Sequence, residues 1–201
     1  MTKISNKYGD EARKRLLESA DVKKRVAEEC IDSILAASQL IADTFESGGK
    51  VMICGNGGSA ADSQHMAGEF ICALNKQINR PGLPAIALTT DTSVLTAYAN
   101  DFGFEHIYKR QVDALGKEGD LLIGISTSGS SQNILSAINS ASASNIRTIF
   151  LTGNKNDAIS MADITICVPS DNTQYIQESH LSIEHTICEL VEKHLFLNKP
   201  Q

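Results

Sequence analysis

No Cys-x-x-Cys pair occurs in this 201-residue chain, and Cys30, Cys54, Cys72, Cys167 and Cys188 are scattered and odd in number. That excludes a disulfide framework and suits buried or idle thiols in a reducing compartment. No apolar run approaches the ~20 residues of a membrane span, and the polar N-terminal stretch MTKISNKYGDEARKRLL has no leader-like apolar segment. Both absences predict a cytoplasmic protein with no membrane partner. Outside the N-terminal helices there is no Lys/Arg block, and the formal net charge is −6. A general nucleic-acid binder is thereby excluded, because neutralising phosphates takes a basic patch. Any anion must be held locally, by backbone amides and hydroxyls. The length suits one domain over residues 1–201, with a helical extension over about 1–48, burying roughly 70% of its unfolded surface.

What is present is an alternation of short apolar runs with amphipathic stretches. From about Lys7 to Glu46, residues such as Leu16, Val22, Val26, Ile34, Leu40, Ile41 and Phe45 recur at three- and four-residue intervals, predicting one or two long helices ended by Ser47-Gly48-Gly49. These helices either pack against a partner subunit or cover the molecule's own sheet; a five-stranded sheet already has enough helices to cover it, which favours oligomerisation. Strands are predicted at 51–54, 84–88, 121–125, 146–151 and 164–168. Helices are expected after Ser59, from a Thr89-Thr90-Asp91 cap through Tyr98, and over 104–115, 132–143, 156–161 and 173–197, with Asn100 to Gly103 as a loop. The pattern predicts an α/β fold: an open parallel sheet of five strands flanked by helices, with ligands outside the carboxyl ends of the strands.

Two turns fall at such ends. Val51 to Cys54 breaks into Gly55, Gly57 and Gly58, with Ser59 placed to cap the next helix, whose free N–H groups and dipole make an anion site. A tight strand-to-helix connection without a ligand would look the same. The turn is neither a dinucleotide fingerprint, lacking its third Gly, nor a Walker loop, lacking its Lys. The second turn, Ser126 to Ser131, puts five hydroxyls and a Gly into six residues ahead of a helix, and so reads as the phosphate seat. With no Lys in it, a phosphomonoester gripped by dipoles is favoured over a nucleoside triphosphate with Mg²⁺. His65 and Glu69, four apart on one helix, could share a metal or a substrate. The last helix carries Gln177, Glu178, His180, Glu184, His185 and Glu189; a histidine there is by default a surface or core residue, but with His65 and Glu69 it would complete an N/O donor set suited to Zn²⁺ or a similar ion.

The blocks GNGGSAADSQHMAGE, RPGLPAIALTTD, ANDFGF, GISTSGSS and IQESHLSIEH, in this order and spacing, resemble the bacterial sedoheptulose 7-phosphate isomerases (phosphoheptose isomerases) of the sugar-isomerase (SIS) domain family over nearly the whole chain. The resemblance implies metal ligands His65, Glu69, Gln177 and His185, with zinc the usual ion. It implies substrate contacts at Asn56, Gly57, Gly58, Ser59, Glu69, Asn100, Asp101, Ser126, Thr127, Ser128, Ser131 and Gln177. It further implies a homotetramer with shared active sites, a phosphorylated seven-carbon sugar as substrate, and a product on the route to ADP-heptose for lipopolysaccharide core or surface glycans. Glu69 then fits the base and His185 the acid or proton shuttle of an enediol isomerisation, tuned by burial and mutual charge. Gln177 and His185 are eight apart, ~12 Å of straight helix, so either Gln177 sits where the helix begins or bends, or the two come from different subunits. The chain departs from the family pattern at Phe70-Ile71-Cys72-Ala73-Leu74, where a basic residue often follows the HxxxE helix, and in a slightly longer connection to Arg80. The replication initiator-associating protein, a non-catalytic tetramer, shares GNGxSAA, LPAIAL and IST; it replaces Glu69 and His185, which this chain keeps. A phosphosugar-binding regulator is the third reading of the same scaffold.

Overall fold

The computed structural model describes residues 8–153 and 160–197. In chain order these form α1 (Gly9–Glu29), α2 (Ile31–Glu46), β1 (Val51–Gly55), α3 (Gly58–Ile71), β2 (Ala85–Ala87), α4 (Thr92–Phe102), a 3-10 turn at Phe104–His106, α5 (Ile107–Leu115), β3 (Leu121–Ser126), α6 (Gln132–Ala143), β4 (Arg147–Gly153), β5 (Ile164–Val168) and α7 (Thr173–Phe196). The five strands are all parallel, in the order β2-β1-β3-β4-β5. Five strands and their flanking helices match the expected architecture. The helix expected at 156–161 falls largely on residues 156–159, outside the described residues; Ser160 and Met161 form a turn and bend.

Strand side chains alternate between two apolar layers because both faces of the sheet are covered. Val51, Ile53, Leu121, Ile123 and Ile149 join Ile34, Ile41, Phe70, Ile183 and Ile187 on one face. Met52, Cys54, Leu122 and Phe150 join Tyr108, Val112, Ile134 and Ile138 on the other. Both N-terminal helices cover the molecule's own sheet, α1 through Val22 and Val26. α2 buries Ile34, Ala37 and Ile41 in the molecule's own core, whereas α1 leaves Leu16 and Leu17 exposed at 70% and 64%.

Two local expectations are corrected. Asn100, Asp101 and Phe102 are the last turn of α4 rather than a loop, since the helix ends one residue later at Gly103, whose φ of 98° only glycine adopts readily. Asp91 does cap this helix, accepting from the Val94 N–H at 3.0 Å. Ser59 does not cap α3. Gly57 takes the N-cap position at φ 57°, ψ −119°, so Ser59 falls inside the first turn, buried. Beneath that turn the Tyr108 hydroxyl of α5 donates to the Gly55 carbonyl at 2.5 Å.

Candidate active site

Register brings together the two turns that the sequence marks as anion sites. β1 and β3 are neighbours, with Gly55 opposite Ile125. Their following helices diverge to opposite faces, so a crevice opens at this switch in strand order. The Asn56 and Asn133 side-chain amides exchange two hydrogen bonds, both 2.8 Å, and lock the turn after β1 to the second residue of α6. In the hydroxyl-rich turn, Ser126 Oγ donates to Ser131 Oγ at 3.0 Å and Ser130 Oγ to Ser128 Oγ at 3.1 Å, around Gly129 at φ 67°. Ser131 is the N-cap of α6 but makes no side-chain cap bond. The hydroxyls thus bond one another just ahead of the free N–H groups at the start of α6, a set of donors suited to an anion.

Lower on the flank, α3 and α7 meet. His65 Nε2 lies 2.7 Å from His185 Nε2 and 3.5 Å from Glu69 Oε1. One ligating atom from each of the three residues lies within 4.8 Å of the others. His65 is exposed, and Glu69 and His185 are half-buried. At 2.7 Å, one imidazole nitrogen must donate a proton to the other's lone pair, unless a cation takes both. Two imidazoles and a carboxylate with an open side fit a zinc-type ion that keeps a position for substrate. His65 sits seven residues into α3 from Gly58, ~10 Å of helix below the anion turn.

Gln177 packs against the start of α3. It lies in the second turn of α7, where a Cβ at Gly58 would collide with its side-chain amide, and it hydrogen-bonds Asp62. Gln177 is thus one turn inside α7, and an unbroken helix separates it from His185. Asn100 Nδ2 donates to Asp101 Oδ1 at 2.7 Å on the exposed last turn of α4; neither residue hydrogen-bonds the His65 trio.

A SIS-domain family model matches residues 16–153. A phosphoheptose isomerase of Roseiflexus sp. (strain RS-1) is 48% identical over 179 residues, covering 89% of this chain and 90% of that protein. The chain belongs to the phosphoheptose isomerase family. Solved phosphoheptose isomerases agree. The structure from Francisella tularensis superposes with a TM-score of 0.87 at 38% identity, covering 92% of this chain and 97% of that one. The one from Neisseria gonorrhoeae gives 0.86 at 37%, covering 92% and 98%.

Behind the trio, the chain buries further polar groups that sequence reasoning left without a role. His180 is fully buried, its Nε2 3.2 Å from the Thr152 carbonyl at the end of β4, and burial pulls its pKa down to about 4. Burial, and next the charge of Asp62, push Glu184 up to about 8. Asp62 is itself raised by burial, against the charge of His65 and the hydrogen bond from Gln177. The four-residue spacing of His180 and Glu184 places both on the inward face of α7, a signal the sequence offered. Asn133 carried none: an Asn near a helix start is ordinary, and its partner is 77 residues away. Among the described residues no helix is long and apolar enough to cross a membrane.

Proposed function

We propose that this protein converts D-sedoheptulose 7-phosphate into D-glycero-D-manno-heptose 7-phosphate in the cytoplasm, supplying ADP-heptose for lipopolysaccharide core or other surface glycans. The observation that carries the reading is the meeting of His65, Glu69 and His185, since two of these distinguish an isomerase from a non-catalytic SIS scaffold. The turns at Asn56–Ser59 and Ser126–Ser131 hold the phosphate and sugar hydroxyls, with Asn100, Asp101 and Gln177 as further contacts. Glu69 takes a proton from C1 of the ketose while His185 gives one to the C2 oxygen, forming the enediol. The proton then returns from Glu69 to C2, and the C1 hydroxyl proton passes back to His185, leaving the aldehyde at C1 with no net change in protons.

His65, Glu69 and His185, joined by Gln177, would hold one divalent ion, Zn²⁺ by the chemistry of the donors. When bound, such an ion supplies Lewis-acid stabilisation of oxygen charge. Gln177 stands eight residues, ~12 Å of helix, from His185, which supports a ligand set shared between subunits of a homotetramer. The exposed Leu16 and Leu17 of α1 offer a contact surface for that assembly. Incubation with sedoheptulose 7-phosphate, with and without chelator, tests the reaction: aldose formation is expected from metal-loaded protein, and none from it refutes the reading. A dilution series tests the sharing, and full activity in monomeric protein would overturn it.

A further inference from the structure

Arg80 lies in the connection between α3 and β2, where the chain departs from the family pattern. Its side chain is wholly buried (0% exposed) and paired with Glu192 of α7, itself 1% exposed. Nε donates to Glu192 Oε1 at 2.8 Å. The two terminal nitrogens donate backward into α3, Nη1 to the Phe70 carbonyl and Nη2 to the Glu69 carbonyl, each at 2.8 Å. Nη1 also reaches the Pro81 carbonyl at 2.9 Å, and Glu192 accepts from the Leu74 and Asn75 N–H groups at 3.0 and 3.1 Å. The guanidinium carbon stands 5.9 Å from the centroid of the Phe196 ring.

The carbonyls of Glu69 and Phe70 belong to the last turn of α3, where a helix has no N–H of its own to satisfy them. Arg80 therefore does two jobs with one planar group: it caps α3 at the residue that carries the proposed base, and it ties that cap to α7. Glu192 is seven residues after His185, two turns further along the same face of α7. The pair of helices is thus clamped one level below the level at which His65 and Glu69 meet His185.

We infer that Arg80 is a positioning residue for isomerisation: through the Glu69 backbone and through Glu192 it sets where the Glu69 carboxylate stands relative to His185. This rests on the reading of Glu69 as the base. Buried and fully paired, Arg80 has no route to the sugar phosphate, so it does not substitute for the basic residue missing after Glu69.

Replacing Arg80 alone leaves Glu192 buried and unpaired, which is strongly destabilising by itself. The decisive protein is therefore the double variant Arg80→Met with Glu192→Met, beside Arg80→Lys and a core control, Ile138→Ala, on the opposite face of the sheet. The double variant removes both buried charges but leaves the Glu69 carbonyl and the Leu74 and Asn75 N–H groups without these partners, so Tm is expected to fall; below its melting transition kcat falls ~10- to 100-fold and KM for sedoheptulose 7-phosphate changes less than ~3-fold. Binding of added Zn²⁺, followed by competition with a chromophoric chelator, is expected to weaken ~10-fold. Ile138→Ala is expected to lower Tm and leave kcat intact. A double variant with wild-type kcat and Zn²⁺ affinity overturns the positioning role and leaves Arg80 as a structural ion pair. Glu69→Gln separates the two readings: if it is inactive while the double variant is fully active, the role of Arg80 alone fails. If Glu69→Gln turns over normally, the base assignment fails and takes this inference with it.

Discussion

The two ends of α3 are built on different principles. At its start, the groups proposed to bind ligand are backbone N–H, hydroxyls and amides on turns whose relative position is dictated by β1–β3 register and locked by the Asn56–Asn133 pair. Further along, the groups proposed to react are side chains on α3 and α7, whose relative position depends on helix packing and the Arg80–Glu192 clamp. A sheet fixes its neighbours through a ladder of hydrogen bonds, whereas two helices slide against each other until something pins them. The first end suits grip on a constant group. The second suits proton transfer, where small displacements are costly.

The contrast can be broken by finding that the two ends fail alike. Glu69→Gln should lower kcat by ~10³-fold with KM nearly unchanged, measured by aldose formation; a rise in KM alone would place Glu69 in binding instead. Next in size is acid sensitivity of the helix-borne end. His180 is held neutral in the fold, with pKa near 4 against 6.5, so the unfolded chain binds a proton that the folded one refuses. Its contribution is present in full above pH 6.5 and is lost as pH falls toward 4, up to roughly 3 kcal/mol. Because His180 docks α7 on β4, thermal melts of His180→Gln against wild type should show a flatter loss over that window.

At the sheet-borne end, Asn133→Ala leaves the Asn56 amide unpaired and should cost ~1–3 kcal/mol of stability. It should raise KM several-fold while kcat holds, and a fall in kcat alone would contradict the division. The smallest effect is expected from Ser130→Ala, whose exposed hydroxyl bonds only Ser128; steady-state parameters within ~2-fold of wild type would agree with its rim position.

This division also explains what could be read from the sequence. Strands were legible because burial on both faces demands uninterrupted apolar runs such as Leu121–Ile125, and His65 with Glu69 because four residues is one helical turn. Asn100 to Gly103 misled because Asn, Asp and Gly mark both a loop and the end of a helix; here Gly103 ends α4 and the two polar residues lie within it. Ser59 misled because capping chemistry was assigned to the hydroxyl when the positive φ of Gly57 had taken the position. Arg80 and Glu192 were beyond reach for another reason. They stand 112 residues apart, and nothing in a buried ion pair's local sequence distinguishes it from a solvated one.

The hydrogen bond from Tyr108 to Gly55 has its own consequence. The last carbonyl of β1 is held from below by α5, a helix on the layer of the sheet opposite α3 and α7. The glycine turn is therefore braced by a layer that carries none of the residues proposed for proton transfer. Loosening it, as in Tyr108→Phe, would register as increased disorder at Gly55–Gly57 while the geometry of His65 and His185 stayed still. The proposed phosphate grip is thus braced from one side of the sheet and the proposed proton-transfer groups are carried on the other.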